Sequence, residues 1–300
     1  MKILAAIVTY NRVHLLERCI DHVRAQTRPP DRLLVVNNSS SDGTVEMLKQ
    51  KCVDFVTQPN LGSAGGWARA IGDASEQGFD AVWLMDDDGY PDPDALRVLE
   101  QSLGAGVGCV SSVVVREEQP SHFVFPFPKL NAEGNSVIFD RKRKIARLED
   151  LRRLARGDLY PFVHLFNGAL VSMPVAKRVG NVSPDFFMQG DEVEYFMRLK
   201  KVSLVFSNLS ALHFHPDVAT RPISPEKFYY YVKNSIILHR KFFDQPLLRN
   251  VLAVAVVVAR TATRNSPATA LSYLAGSRAP VLWKAVARGL SGRLGKDFDG

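Results

Sequence analysis

The chain has 300 residues, 46% hydrophobic and 23% charged, an ordinary globular composition that allows one large domain or two coupled ones. Its three cysteines are widely separated and odd in number, which excludes a disulfide framework or a zinc pattern and favours a reducing compartment. The formal net charge of +7 arises within residues 240–300, which hold ten Lys and Arg against three Asp, so this basic tail suggests an anionic surface, either a membrane or a nucleic acid.

The first third of the chain alternates between strands and helices. The apolar run from Ile3 to Val8 predicts a buried strand rather than a signal peptide, because it is short and Asn11-Arg12 follows it. The next predicted elements are a helix over 15–23, a strand over 33–36, a helix over 45–51, a strand over 54–56, a helix from Asn60 to Ala74 and a strand over 81–85. This alternation predicts a parallel α/β sheet with right-handed crossovers.

Polar residues follow each of these predicted strands. Thr9 to Arg12 follow the first, Asn37 to Asp42 the second, Asn60 the third, and Asp86 to Asp88 the fourth. Parallel sheets bind ligands beyond the carboxyl ends of their strands. The four clusters therefore predict one ligand-binding edge.

The triplet Asp86-Asp87-Asp88 needs a neighbouring cation, because adjacent carboxylates repel one another. Mg²⁺ or Mn²⁺ is the simplest candidate, since both prefer oxygen ligands and often share phosphate oxygens. A solvated acidic turn is the plainer alternative. A dinucleotide-binding Rossmann enzyme is disfavoured, because the turn after the first strand contains no glycine. The cluster Gly62, Gly65 and Gly66 lacks the Lys-Ser/Thr of a P-loop, although its glycines would let backbone approach a ligand.

The remaining predicted elements are a helix from Asp92-Pro93-Asp94, a strand over 108–115, a solvated loop or hairpin at 141–144, a strand over 162–173, a helix over 195–201, a strand over 204–206 with His213 to Pro216 after it, and a helix from Tyr229. Asp191, Glu192 and Glu194 form a second acidic cluster just before a helix. Helix capping explains one of these carboxylates better than all three. His213 and His215 share one face of a strand, so either could supply a metal with nitrogen.

The tail combines apolar runs with regularly placed cations. Its longest apolar run, from Val251, is about nine residues, whereas a membrane span needs roughly twenty. Arg260, Arg264 and Arg278 alternate with apolar stretches, which suits helices that lie on an anionic membrane. A helical pack or a dimer interface is an equal alternative. Nucleic-acid binding is not expected, because the tail contains no recognised motif.

The ordered set Thr9-Tyr10-Asn11-Arg12, Asn38 to Thr44, Asn60 to Gly66, Asp86-Asp87-Asp88 and Gly190 to Glu194 resembles the inverting family 2 glycosyltransferases with the GT-A fold, most closely their rhamnosyl- and galactofuranosyltransferase branch. The resemblance covers residues 1–240. It implies a Rossmann-like, mostly parallel sheet flanked by helices, with a nucleotide-sugar half (1–110) and an acceptor half (111–240). Residues 241–300 would be a helical extension.

The resemblance also implies roles for individual residues. The donor-binding residues would be Thr9, Tyr10, Asn11, Arg12, Asn38, Asp42, Asn60, Gly62, Asp86 and Asp87. Asp88 would bind Mn²⁺ or Mg²⁺ together with His215, or alternatively His213. Trp67 and Glu194 are the predicted acceptor contacts. The family commonly has Asp-Asp-x-Glu where this chain has Asp191-Glu192-Val193-Glu194, so Glu192 is the predicted base and Asp191 the close alternative.

The implied activity is metal-dependent, inverting transfer of rhamnose, galactofuranose or galactose from a UDP- or dTDP-sugar. The acceptor would be a lipid-linked or polysaccharide hydroxyl in cell-envelope glycan synthesis, at the cytoplasmic membrane face. A sugar-1-phosphate nucleotidyltransferase would need a basic Gly-rich loop after the first strand, which is absent. A non-catalytic nucleotide-binding or membrane scaffold protein would be marked by loss of the second acidic cluster, which is present.

Overall fold

The computed structural model describes residues 1–132, 134–140 and 143–298. In this part of the chain the strands are β1 (Ile3–Thr9), β2 (Arg32–Asn37), β3 (Asp54–Thr57), β4 (Ala81–Asp86), β5 (Tyr90–Pro91), β6 (Val107–Arg116), β7 (His122–Pro128), β8 (Lys144–Arg147), β9 (Leu159–Tyr160), β10 (Asn167–Ser172) and β11 (Leu204–His215). The helices are α1 (Val13–Arg24), α2 (Thr44–Gln50), α3 (Gly62–Glu76), α4 (Ala95–Ser102), α5 (Leu148–Arg152), α6 (Met173–Val179), α7 (Asp191–Val202), α8 (Pro225–Phe242), α9 (Pro246–Arg264), α10 (Pro267–Ala275) and α11 (Ala279–Leu290). A 3-10 turn, Pro184–Phe186, precedes α7.

The strands form one mixed, mostly parallel sheet with the order β3-β2-β1-β4-β10-β6-β11-β5. β1, β2, β3 and β4 are parallel to one another, and β6 is parallel to β11. β10 runs antiparallel between β4 and β6. The α/β fold with a parallel first half is therefore confirmed, and one reversed strand lies at its centre.

Both faces of the central strands are covered, which explains their continuous apolar runs. Alternate residues of β1, Ile3, Ala5 and Ile7, pack with α1, α2 and α4 in one buried cluster. On the other face, α3 lies so close to β1 that a side chain at Gly66 would begin 2.5 Å from Val8 Cγ1. These helices cover the faces of the sheet, so the polar residues that follow the strands lie at its edge.

The described chain divides into two compact units. The first contains Met1–Leu61, Gly66–Val182 and Arg198–Asp217, including the whole sheet. The second contains Gly62–Gly65, Ser183–Met197 and the chain from Val218 onward. Its core is built from α8, α9, α10 and α11, with Phe228, Tyr230 and Ile236 of α8 buried together with Val257, Tyr273, Leu282 and Ala285. The proposed boundary at residue 240 stays a prediction.

Several predicted elements begin or end elsewhere. The strand predicted over 162–173 is β10, which begins only at Asn167. β11 is one strand rather than a short strand followed by a separate segment, because its interior polar residue Ser207 is satisfied: Oγ donates to the Phe162 carbonyl at 2.7 Å. α8 begins at Pro225, where the Ser224 side chain accepts from the Lys227 amide, and α7 begins at Asp191. Of the predicted basic loop at 141–144, Arg141 and Lys142 lie outside the described residues.

Candidate active site

The carboxyl ends of β1 and β4 bring Thr9, Arg12 and the acidic triplet together. Thr9 Oγ1 donates a hydrogen bond of 2.7 Å to Asp87 Oδ2. One terminal nitrogen of Arg12 lies 2.9 Å from Asp87 Oδ1 and 3.0 Å from Asp88 Oδ2. Burial raises the pKa of the Asp87 carboxyl, and Arg12 and Thr9 offset only part of that rise. Asp87 and Asp88 are both buried, which excludes a solvated acidic turn. The Arg12 guanidinium supplies one of the positive charges needed to offset the repulsion between these two carboxylates.

The loops after β1 and β2 hold each other at the same edge. Asn11 Oδ1 accepts a backbone hydrogen bond of 2.7 Å from the loop after β2, and Asp42 Oδ2 accepts one of 2.9 Å from the first residue of α1. Buried Asn38 accepts from Gln58 Nε2 at 2.9 Å. These bonds leave Tyr10 as an exposed aromatic ring beside the fixed polar groups.

Asp88 faces His215 in an arrangement that requires a positive charge. His215 Nδ1 lies 2.7 Å from the Pro216 carbonyl oxygen, which can only accept, so Nδ1 carries the proton. His215 Nε2 lies 2.9 Å from Asp88 Oδ1. In the neutral imidazole, Nε2 would then present a lone pair to a carboxylate oxygen. The contact therefore needs either a proton shared between the two atoms or a metal cation that both side chains would ligate, and a metal-binding histidine usually donates its other N–H in this way.

The chemistry of the Asp88–His215 pair fits a hard divalent cation. Among the described residues, no group of three or more His, Cys, Asp and Glu side chains could hold a metal ion. The protein would therefore supply two ligands at this site. Mg²⁺ and Mn²⁺ suit such a site because they keep several waters and are bound through few carboxylates together with substrate phosphates.

His213 is placed differently from His215. Its ring is completely buried, and neither ring nitrogen has a hydrogen-bond partner within the described part of the chain. Burial and, to a smaller extent, the charge of His215 lower the pKa of His213 to about 3, so the imidazole is neutral. The hydrogen-bond-length contact with Asp88 is made by His215, which favours His215 over His213 as the metal ligand.

The second acidic cluster opens α7 in the second compact unit. Ser63 Oγ donates to Asp191 Oδ2 at 3.1 Å, and Asp191 is buried. Burial raises the pKa of Asp191 to about 6. Burial and the neighbouring charge of Asp191 raise the pKa of Glu192 to about 7. Glu192 also keeps some exposure to solvent. Carboxylates with raised pKa values are stronger bases, so this pair can accept a proton near neutral pH.

The other predicted site residues have less direct support. Asn60 follows β3 and Asp86 ends β4, and both are partly exposed. Trp67 is 0% exposed and stacks on the ring of Phe166 with centroids 4.4 Å apart, so its position gives no support to an acceptor contact. Glu194 is also buried, and its Oε1 accepts from Lys241 Nζ at 2.9 Å.

Gly62 has a clear structural role. Its φ is +74°, and a Cβ there would lie 2.0 Å from the Phe187 carbonyl oxygen. Only glycine fits so close an approach in that backbone conformation. Donor binding by Gly62 therefore stays a prediction, because the close approach to Phe187 accounts for the glycine without a bound ligand.

Sequence reasoning did not select three side chains at these clusters. Ser63 lies within the Gly-rich stretch and reaches Asp191, and Arg18 Nη2 lies 3.5 Å from the Asp88 carbonyl oxygen. Asn234 contacts the loop before Asp191. Asn234 lies shortly after a run of three tyrosines on α8. A polar residue in this aromatic part of the helix was the only sequence signal that could have pointed to it.

A model of the family described as Glycosyl transferase family 2 matches residues 5–154. Galactofuranosyltransferase GlfT1 of Mycobacterium tuberculosis is 35% identical over 225 residues, and GlfT1 of Mycolicibacterium smegmatis is 33% identical over 219 residues. Each alignment covers 71% of this chain and 70% of the relative.

Solved structures share the fold. Mannosyltransferase PcManGT from Pyrobaculum calidifontis, in complex with GDP-Man and Mn²⁺, has a TM-score of 0.56 at 17% identity and covers 96% of this chain and 80% of that one. S. aureus TarS 1-349 has a TM-score of 0.54 at 13% identity and covers 98% and 81%. TarS 1-349 in complex with UDP-GlcNAc has a TM-score of 0.51 at 12% identity and covers 98% and 82%. The predicted fold class is confirmed.

Proposed function

The chain belongs to glycosyltransferase family 2, and from this premise we propose that it transfers galactofuranose from a UDP- or dTDP-sugar, with inversion, to a hydroxyl of a lipid-linked or polysaccharide acceptor. The choice of galactofuranose over rhamnose or galactose rests on the similarity to two galactofuranosyltransferases. The pair of Asp88, which follows β4, and His215, which ends β11, carries the proposal, because its 2.9 Å contact calls for a shared proton or a cation at the edge where such sheets bind ligands.

The residues of the first unit would bind the donor. Asp88 and His215 would hold Mn²⁺ or Mg²⁺, which when bound supplies positive charge to a diphosphate leaving group. Arg12 adds a fixed positive charge beside the Asp88 carboxylate. Thr9 and Asn38 offer side chains already oriented by hydrogen bonds for the nucleoside.

The acidic cluster of the second unit would accept the acceptor's proton. The acceptor oxygen forms a bond to the anomeric carbon, the bond from that carbon to the phosphate oxygen breaks, and the nucleoside diphosphate leaves with the bonding electrons. The hydroxyl proton passes to the Glu192 carboxylate. Asp191 keeps Glu192 basic, because its charge raises the pKa of Glu192.

A donor screen tests the proposed sugar. Wild-type protein is incubated with Mn²⁺, a panel of alkyl glycosides that mimic lipid-linked acceptors, and UDP-galactofuranose, UDP-galactopyranose or dTDP-rhamnose. We expect acceptor-dependent nucleotide release from the galactofuranose donor at the highest rate. Faster turnover of another donor would reassign the sugar. Binding of nucleotide without turnover of any donor would overturn the proposed transfer.

Turnover should rise with pH through the range that the acidic cluster sets. A carboxylate can accept a proton only when ionised, and the pKa values of Asp191 and Glu192 are raised to about 6 and about 7. The two steps belong to the coupled pair, so one acidic limb is expected. Well below pH 6, kcat should fall roughly tenfold per pH unit. Measuring kcat from pH 5 to 9 checks this, with nucleotide affinity over the same range as the control. A flat profile would contradict the assignment.

We propose further that the second unit lies on an anionic membrane at its cytoplasmic face. α9 is the one helix in the described chain long and apolar enough to cross a membrane by length and composition, which alone is weak evidence. One of its faces packs inward through Ala253 and Val257, while Leu247 and Val251 are 76% and 67% exposed. Exposed apolar residues beside an excess of Lys and Arg fit an interfacial helix better than a span.

Vesicle co-sedimentation tests this surface. The double variant Leu247→Glu, Val251→Glu should reduce binding to vesicles of anionic lipid by roughly 100-fold or more, because each of the two lost apolar contacts is worth about 1.5–3 kcal/mol and a factor of ten corresponds to about 1.4 kcal/mol. Leu204→Glu replaces an equally exposed leucine of the first unit and should leave binding intact. If the wild type does not bind vesicles but forms a dimer that the double variant disrupts, the exposed face of α9 would instead be assigned to contact with a second copy of this chain.

A further inference from the structure

The loop before Asp191 follows an unusual backbone path. Phe187, Gln189 and Gly190 have φ values of +61°, +62° and +100°. Left-handed backbone is disfavoured for residues with side chains, so such a path persists only where its surroundings hold it. The Gly190 carbonyl then accepts from the Glu194 amide at 2.9 Å, the first backbone bond of α7. The loop therefore sets where the helix carrying Asp191 and Glu192 begins.

The side-chain amide of Asn234 holds this path. Asn234 lies on α8 and is 1% exposed. Its Nδ2 lies 3.1 Å from the carbonyl oxygen of Phe186, 2.9 Å from that of Met188 and 2.7 Å from that of Gln189. Because all three neighbours are acceptors, the amide can take only the orientation that turns its NH₂ group towards them. One NH₂ group, with two hydrogens, thus lies within hydrogen-bond distance of three of the five carbonyl oxygens of residues 186–190.

Close packing on both sides leaves the loop no room to shift. A side chain at Gly190 would begin 3.2 Å from Asn234 Cβ and 3.0 Å from Leu238 Cδ1 of α8. On the opposite side, the Phe187 carbonyl accepts from the Ala64 amide at 3.2 Å. The loop is therefore fixed between α8 and the start of α3, and Asn234 supplies the polar part of that fixation.

We propose that Asn234 is a positioning residue for the proton acceptor: it fixes the backbone of residues 186–190 and thereby the carboxyl groups of Asp191 and Glu192. The proposal rests on the base role assigned under the proposed function. Asn234 acts through the loop and does not touch the reacting atoms. A misplacement of about 1 Å at a reacting group can cost roughly 100-fold in rate, so loss of the hydrogen bonds from this one amide should lower turnover measurably.

Two substitutions distinguish hydrogen bonding by the Asn234 side chain from its contribution to packing. Asn234→Asp keeps the volume but turns a carboxylate oxygen towards three carbonyl oxygens, which repels the loop. Asn234→Ala removes the donor without adding a negative charge. We expect kcat to fall roughly tenfold in Asn234→Ala and roughly 100-fold or more in Asn234→Asp. If only packing mattered, the order would be reversed, because the aspartate has nearly the volume of asparagine.

Asn208→Asp is the matched control. Asn208 is also a buried asparagine, but its Nδ2 donates to the Ser102 hydroxyl, which can exchange its bond to the Val98 carbonyl for one donated to a carboxylate. We expect this variant to keep normal kcat. Donor KM and calorimetric nucleotide affinity should stay near the wild-type values in all three variants, since Asp88 and His215, the proposed metal ligands at the donor site, lie in the first unit.

Hydrogen–deuterium exchange of peptides spanning residues 184–195 gives a readout that does not depend on activity. We expect faster exchange there in Asn234→Asp than in Asn234→Ala or the wild type. Normal kcat and exchange in Asn234→Asp would overturn the proposal, as would a parallel loss of nucleotide binding and turnover. A wild type that turns over no donor would overturn the proposed function, and exchange alone would then decide whether Asn234 holds the loop.

Discussion

Asp88→Ala should lower turnover by roughly 1,000-fold and remove the metal dependence of nucleotide binding, because several kcal/mol of charge stabilisation at the leaving group would be lost. Asp88 Oδ1 lies 2.9 Å from His215 Nε2. Asp87 is poorly placed to replace it, since its two oxygens are bound by Thr9 and Arg12. The substitution would leave His215 without the partner that makes it half of a metal site.

Calorimetric titration of UDP and dTDP, each with and without Mn²⁺, measures this loss. Wild-type protein should bind one of the two nucleotides in a metal-dependent manner, and Asp88→Ala should show no difference between the two conditions. Asp94→Ala, which removes an exposed carboxylate at the start of α4, is the control and should behave as wild type. Metal-dependent binding that survives in Asp88→Ala would move the metal to other ligands.

Glu192→Gln should stop transfer and spare nucleotide binding. Glutamine keeps the shape of the side chain but cannot take a proton, and loss of a general base costs roughly 100- to 10,000-fold in rate. We therefore expect kcat to fall within this range while the nucleotide affinity measured by calorimetry is unchanged. Asp191→Asn should have a smaller effect that appears mainly as a shift of the acidic limb, since Asp191 is one cause of the raised pKa of Glu192.

A matched variant distinguishes catalysis from helix capping. Glu226 lies in the first turn of α8, as Glu192 lies in the first turn of α7. If Glu192 only stabilised its helix, Glu192→Gln and Glu226→Gln would both change stability by about 0.3–1 kcal/mol and leave kcat per folded molecule alone. A larger loss of kcat in Asp191→Asn than in Glu192→Gln would make Asp191 the base.

The first half of the sheet could be predicted because its residues carry the signal locally. β1 and β4 are buried on both faces and therefore read as continuous apolar runs, and a polar cluster marks each carboxyl end. β11 lacked this signal, since buried Ser207 and Asn208 interrupt its apolar pattern and are satisfied by distant partners. The compact units were also hidden, because segments far apart in the chain join in each of them.

The candidate site could be predicted by residue type but not by pairing. His213 and His215 share a strand face, so their spacing could not decide between them. The contact that decides joins Asp88 to a histidine 127 positions later, which no local pattern encodes. The raised pKa values of Asp191 and Glu192 follow from burial, and burial at a loop–helix junction depends on residues far away in the sequence, such as Ser63 beside Asp191. Asn234 could not be identified from the sequence either, because its contacts with residues 186–189 also join distant parts of the chain.

The reversed strand β10 makes the order of synthesis matter for folding. β4 pairs with β1 on one side, but its other neighbour begins only at Asn167, so this edge stays bare while the intervening chain is made. Unpaired strand edges invite association between chains. The family match ends at residue 154, before β10. A fragment cut at that boundary would carry the acidic triplet on an unprotected edge and should aggregate, so the boundary of sequence similarity is not a boundary for folding.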